Sequence, residues 1–378
     1  MSRAEGALAG LIDSFLALDP DTPQEKIQRR LDEIREGSDL STVMDCLFRW
    51  ELAAGYITRE KLEQVERLEF PDPETGVSFR IQVNHARTKY SDAQERVKKQ
   101  AQPAGPRLCL LCKDNIGRPG KERLRVYEFL LDGRERRFFL QVTPFPLYPY
   151  HFVPVAAEHS PQLIDVRSVR DMLDFLRLAP EYTVASNSDV EWAGASILNH
   201  LHYQVLRGVR LPVMDARPAP GLGRKLGSLA IEFLRYPLPA FRFTGTEEEP
   251  LREAVSALIG LWKSRDPGRN TVNLNLIRTP GSPPAYLFTV LLRNPDYRTP
   301  SELRRFKSEG VGVIEASGEA ILPVPKGPEA EEMWREIREG GLALAKALIA
   351  GNSPPQDPER ITELLEGTVR ALQIGGVR

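Results

Sequence analysis

The run Asn199-His200-Leu201-His202-Tyr203-Gln204 is the part of the chain best suited to chemistry. Histidine is scarce, five in 378 residues, and two of the five stand here. On an extended strand, residues two apart share a face, so His200, His202 and Gln204 would line one side together. Imidazole serves as a metal ligand, a base or a nucleophile toward phosphorus. A glutamine amide can donate to a phosphoryl oxygen. Surface histidines on an edge strand are the plain alternative. The preceding Gly194-Ala195-Ser196 weighs against it, because small residues let a phosphate approach the backbone closely.

Cys109-Leu110-Leu111-Cys112 is half of a zinc site or a redox pair. It runs into Lys113-Asp114-Asn115 and a Gly/Pro loop, which suits a metal knuckle better than the strand-to-helix start of a redox motif. Two more ligands are needed, and His159, in Ala157-Glu158-His159-Ser160, and His200 are the best candidates. Two cysteines with two histidines make a closed, structural site; two idle cysteines are the alternative. Asn84-His85-Ala86-Arg87 ends a strand, where arginine can serve a phosphate or carboxylate but is more often only a surface residue. Arg278, Arg293 and Arg298 are arginines of the same kind, and Arg293 is retained as a substrate contact. Gly221-Leu222-Gly223-Arg224-Lys225 lacks phosphate-loop spacing, and neither a nucleophile elbow nor a dinucleotide fingerprint is present.

The elements that must position these residues read as α+β. Residues 1–70 are expected to be helical, with Thr22-Pro23-Gln24-Glu25 as a capping box and Ile27, Leu31 and Ile34 on one face. Val77–Val83 alternates as a strand, and 88–107 reads as a polar linker. Strands over Val126–Leu131 and Arg137–Val142 flank Asp132-Gly133, a hairpin signal. Tyr150–Ala156, Tyr182–Ala185 and His202–Val209 read as strands, with a helix over 164–177. The Pro/Gly-rich 213–226 suggests a boundary. Strands follow over Leu229–Phe243, Thr271–Ile277, Ala285–Leu292 and Val311–Leu322, with a helix over Glu247–Ser264. The division expected is a helical segment 1–70, an α+β unit 77–212 carrying the histidine run, a second unit 227–325, and C-terminal helices over 328–378.

With 51 Lys+Arg against 52 Asp+Glu, the chain is neither a bulk nucleic-acid binder nor an acidic tail protein. No apolar stretch approaches a membrane span, and Asp13 interrupts the short apolar run near the start. Three cysteines are too few and odd in number for a disulfide framework, which points to a reducing compartment, the cytoplasm.

Together these residues resemble the galactose-1-phosphate uridylyltransferase branch of the histidine-triad superfamily. His200-Leu201-His202-Tyr203-Gln204 is similar to its HxHxQ signature, and Gly194–Gln204 is most similar to GDP-hexose phosphorylases. Pro146–Val155, Glu158-His159-Ser160 and Cys109–Asn115 share the resemblance, which is good over about 80–210 and weaker over 227–325. It implies two histidine-triad-like units with antiparallel sheets. It also implies attack by His202 on the α-phosphorus of a nucleotide, a covalent nucleotidyl-histidine, and transfer to phosphate or a sugar phosphate. Gln204 would hold a non-bridging oxygen, with Asn84, Arg87, Asn187 and Ser196 as phosphate contacts. Cys109, Cys112, His159 and His200 would bind structural zinc; no organic cofactor is implied. Leu201 stands where the uridylyltransferases have proline, which draws the chain toward the phosphorylases.

The donor class left open is a nucleotide-sugar or a dinucleoside polyphosphate. A non-catalytic nucleotide sensor on the same fold is the rival outside enzymes. Neither nucleic acid nor membrane is an expected partner, and homodimers are common in the superfamily. The N-terminal helices read as a packed cap rather than a docking module.

Overall fold

The computed structural model describes residues 3–85, 109–132, 135–144, 146–194, 197–307 and 310–374. The fold is α+β with largely antiparallel sheets. Four helices open it: α1 (Arg3–Leu16), α2 (Gln24–Glu36), α3 (Leu40–Ala54) and α4 (Arg59–Glu63). Then come β1 (Val65–Pro71), β2 (Ser78–Asn84), β3 (Tyr127–Leu130), β4 (Arg137–Val142), β5 (His151–Ala156), α5 (Val166–Leu178), β6 (Tyr182–Ser186) and β7 (Gln204–Arg207). The second half holds β8 (Pro218–Leu226), β9 (Leu229–Leu234), β10 (Ala240–Gly245), α6 (Glu248–Arg265), β11 (Thr271–Thr279) and β12 (Ala285–Arg293). The chain closes with α7 (Val313–Ala316), β13 (Glu319–Leu322), α8 (Ala330–Glu339), α9 (Gly341–Ile349) and α10 (Pro358–Ile374).

One ten-stranded sheet runs β3-β4-β5-β7-β6-β11-β12-β10-β9-β8. Its halves have the same connectivity: three strands in meander, a helix, then two strands whose second inserts beside the third. They meet where β6 pairs antiparallel with β11, Ala185 opposite Asn275. The two expected units therefore share one sheet. Successive strand residues face different cores: Val184, Val205 and Phe288 face the helices, while Ala185, Leu206 and Leu287 join a second core. That second core includes a three-stranded sheet, β1-β2-β13, in which β13 runs parallel to β2.

Several local expectations change. Residues 65–71 form β1 rather than helix, and β2 belongs to the small sheet rather than to the sheet of the histidine run. The Pro/Gly-rich 218–226 is an edge strand with an irregular register, a place where missing N–H donors cost little. Over 311–322 a helical turn precedes a short strand, and the C-terminal helix breaks at Gly340. The expected capping box at Thr22 does not form: Pro23 occupies the cap position without a side-chain hydrogen bond. Gln24 instead both donates to Val126 O and accepts from Val126 N, and Gln28 does the same with Glu128. These glutamines, one helical turn apart, pair the outer backbone of β3. Glu51 Oε1 accepts from Arg125 N, and Arg125 Nε donates to Thr22 O, so the N-terminal helices are a packed cap.

Candidate active site and metal centre

The histidine run lies where β5 and β7 meet. Regular strand begins only at Gln204; upstream, His202 bridges Val155, Tyr203 N donates to Pro154 O, and Leu201 N donates to Ser160 O. Gln162 fastens the turn from below. Its Oε1 accepts from His202 N (2.9 Å), and its Nε2 donates to Ser186 Oγ at the end of β6 (3.4 Å).

His202 is buried, and its Nδ1 donates to its neighbour's carbonyl, His200 O, at 2.8 Å. That bond fixes the tautomer and leaves the Nε2 lone pair free of any hydrogen bond among the described residues. Burial pulls the ring's pKa down to about 4, so the imidazole is neutral at neutral pH. The result is a neutral, oriented nitrogen nucleophile. The next residue faces away, and Tyr203 OH donates to Asp171 Oδ2 at 2.8 Å beneath α5.

His200 turns instead toward the cysteines. Cys109 Sγ lies 3.1 Å from His200 Nδ1, Cys112 Sγ 3.1 Å from His159 Nδ1, and the two sulfurs are 3.3 Å apart. All four donor atoms fall within 4.8 Å of one another. Tetrahedral zinc with Zn–S near 2.3 Å and Zn–N near 2.0 Å puts donors about 3.3–3.8 Å apart, so the cluster fits. The surrounding bonds agree: His200 Nε2 donates to Ala156 O at 2.8 Å, which aims Nδ1 at the sulfurs. Burial raises Cys109, but hydrogen bonds with His200 and Cys112 outweigh it and bring the thiol down to about 7. Burial and then Cys109 push Cys112 up to about 11. Two thiols sharing one negative charge is the state that a dication resolves, since metal ligation takes both as thiolates.

Asn187 follows β6 beside this turn. Its Oδ1 accepts from Val313 N at 3.0 Å, which leaves its Nδ2 as a donor. The loop beyond it is tightly packed: Gly194 has φ +89°, and a Cβ there would lie 1.8 Å from Val311 O, so only glycine fits. The structure thus gathers Cys109, Cys112, His159 and His200 around one point, and it sets Asn187 two residues beyond Ala185, the strand partner of Gln204. Asn84 is buried at the end of β2, opposite Val65 in the small sheet. Arg87 and Ser196 lie outside the described residues.

Arg293 is a correction. It is fully buried, and its guanidinium donates to Asn352 O, Asn273 Oδ1, Val311 O and Gly351 O at 2.8–3.1 Å. With its donors spent on the protein interior it holds the 311–313 segment in place and is not a phosphate contact. One residue that the sequence reading passes over also belongs to the site: Gln162, which lies 40 residues before the His202 backbone it holds.

A family model described as "Domain of unknown function (DUF4922)" matches residues 46–207. Galactose-1-phosphate uridylyltransferase of Bacillus subtilis is 29% identical over 284 residues, 66% of this chain and 52% of the relative. The chain is similar in sequence to galactose-1-phosphate uridylyltransferases. The enzyme of the same name from Caldanaerobacter subterraneus subsp. tengcongensis is 24% identical over 366 residues, 88% of this chain and 68% of the relative. Thus the chain spans about half the length of the Bacillus relative and two thirds of the other. Among solved structures, yeast Ap4A phosphorylase in complex with AMP shares the fold, with TM-score 0.54 and 16% identity over 85% of this chain and 98% of that one. In this chain every histidine precedes β7, and the segment leading into β12, the counterpart of β7, is Gly281-Ser282-Pro283-Pro284. The uridylyltransferase-like motif therefore occurs once, in the first half of the sheet.

Proposed function

We propose that this protein transfers a nucleotidyl group from a nucleotide-sugar to phosphate or a sugar phosphate through a covalent intermediate on His202, in the manner of a GDP-hexose phosphorylase. The observation that carries this reading is the Nδ1–H of His202 held by the His200 carbonyl, which presents a neutral Nε2 as nucleophile. Nε2 attacks the α-phosphorus, the bond from that phosphorus to the bridging oxygen breaks, the sugar phosphate departs with the electron pair, and the nucleotide rests on His202. The acceptor oxygen then displaces His202 and carries the nucleotide away. The Gln204 amide and Asn187 Nδ2 are the donors placed to steady the phosphoryl oxygens as charge builds. Serial displacement lets one site serve donor and acceptor in turn.

Cys109, Cys112, His159 and His200 would hold zinc as a structural ion. Bound there, zinc supplies rigidity rather than Lewis acidity, because protein atoms fill all four positions. The consequence for catalysis is positional: the residue whose side chain joins the cluster also lends its backbone carbonyl to His202. All three cysteines are free, in keeping with a reducing, cytoplasmic setting, and no described helix is long and apolar enough to cross a membrane.

The test is intact-protein mass spectrometry after incubation with GDP-, UDP- and ADP-sugars and diadenosine tetraphosphate, each without acceptor. A gain of one nucleoside monophosphate, absent in His202→Ala, is the expected result, and it names the base. An adduct from diadenosine tetraphosphate alone would move the reading to a dinucleoside-polyphosphate phosphorylase. Nucleotide binding without an adduct from any donor would favour a sensor.

A further inference from the structure

At the start of β5, diagonal to Gln204 in the neighbouring strand, lies a buried histidine for which the mechanism above has no role. His151 opens β5 and is 4% exposed. Its Nδ1 accepts from Leu147 N–H at 3.2 Å, so the proton of the neutral ring sits on Nε2. That Nε2 is shut off from solvent and meets no well-aligned acceptor. Such a buried donor is uncommon and invites an explanation. Strand register supplies one. His151 pairs with Leu206, so Gln204, two residues along, is its diagonal neighbour on the same face, and the Gln204 side chain approaches the ring. No other side chain among the described residues hydrogen-bonds the Gln204 amide.

The loop that presents His151 is held from the far side of the molecule. Leu147 O accepts from Gln82 Nε2 (3.3 Å) and from the Arg67 guanidinium, and both of these also donate to the buried Glu319 Oε1 (3.0 and 3.1 Å). Tyr148 OH donates to the other oxygen of Glu319, and Arg67 stacks 4.3 Å over the Tyr148 ring. Tyr150, immediately before His151, has φ +56°, a conformation a bulky residue adopts only when its surroundings compel it. The small sheet thus clamps the 147–150 loop in a strained shape whose outcome is the placement of one imidazole.

We propose that His151 is a positioning residue for nucleotidyl transfer, its Nε2–H donating to Gln204 Oε1 so that the Gln204 NH₂ points toward the transferring phosphoryl group. Without that bond the amide can rotate and present oxygen to oxygen. The inference rests on the nucleotidyl-transfer reading, and it assigns the small sheet a part in the active site.

The test measures the rate of His202 adduct formation in single turnover for His151→Phe, His151→Gln, His151→Asn, Gln204→Ala and the double variant His151→Phe/Gln204→Ala. Donor affinity and melting temperature are followed in parallel. His151→Phe should slow adduct formation about 10–100-fold with little change in donor affinity, since misaiming one transition-state donor costs about that much or more. Glutamine, long enough to reach Gln204, should restore most of the rate, and asparagine should not; this pair carries the test if the phenylalanine variant does not fold. In the Gln204→Ala background, His151→Phe should have almost no further effect. Full additivity, equal rates for the glutamine and asparagine variants, or wild-type rates throughout would overturn the proposal. Absence of an adduct in the wild-type protein would instead remove the transfer reading, and this inference with it.

Discussion

Replacing Arg293 with methionine separates two roles open to one side chain. A phosphate contact would be lost without harm to the fold. The structure predicts the reverse. The guanidinium satisfies three backbone carbonyls, those of Val311, Gly351 and Asn352, together with the Asn273 amide oxygen, all at a fully buried position. Methionine fills similar space but donates nothing. Asn352 O keeps its bond from Asn294 N–H, whereas each of the other buried acceptors left unmet costs about 1–3 kcal/mol. Against this stands the cost of burying the guanidinium, which is large enough to pull its pKa down to about 9 and which methionine does not incur. The net expectation is a loss of about 3 kcal/mol, and with it a fall in melting temperature on the order of 5 °C. Denaturant and thermal unfolding give the stability, and donor titration gives the affinity. An unchanged melting temperature combined with weakened donor binding would refute the reasoning and return Arg293 to the substrate site.

Elemental analysis of protein purified without chelators should find one zinc per chain; Cys109→Ser should lose it and unfold at lower temperature, because structural metal binding contributes folding free energy. Absence of metal in the wild-type protein would remove the zinc assignment. Burial raises the Asp171 carboxyl to about 7 despite Arg136 and Tyr203, so the native state binds this proton more tightly than the unfolded chain does. Its contribution to stability is therefore largest below about pH 4 and is lost as pH rises to about 7, an effect of at most about 4 kcal/mol. Asp171→Asn still accepts from Tyr203 and should flatten that slope between pH 4.5 and 7.5; parallel stability profiles for the two proteins would contradict this.

The sequence is most readable where function depends on neighbours in the chain. The two-residue spacing of the histidine run and the CxxC single out His202 and most of the metal cluster, because local backbone geometry does the placing. His151 is opaque for the opposite reason. Its role comes from a strand pairing that reaches across 53 residues to Gln204, and from a clamp whose acid, Glu319, is farther still. Arg293 shows a different limit: residue type announces a cation, but only burial decides whether it meets a ligand or a carbonyl. The short helix at Val313 reads as strand because its stability is supplied from afar, by Asn187 Oδ1 on its first N–H. The edge strand β8 hides behind its prolines, which only an outermost position tolerates.

Gln24 and Gln28 give the great sheet a boundary on its β3 side. Each side chain offers β3 the donor and acceptor that another strand would offer, so the place where a second chain could add itself is already filled from within. The N-terminal helices thereby close that edge to strand addition. A protease cut or truncation that releases them would leave an open template at the end of a ten-stranded sheet, and such a fragment would be expected to seek copies of itself before it lost its chemistry.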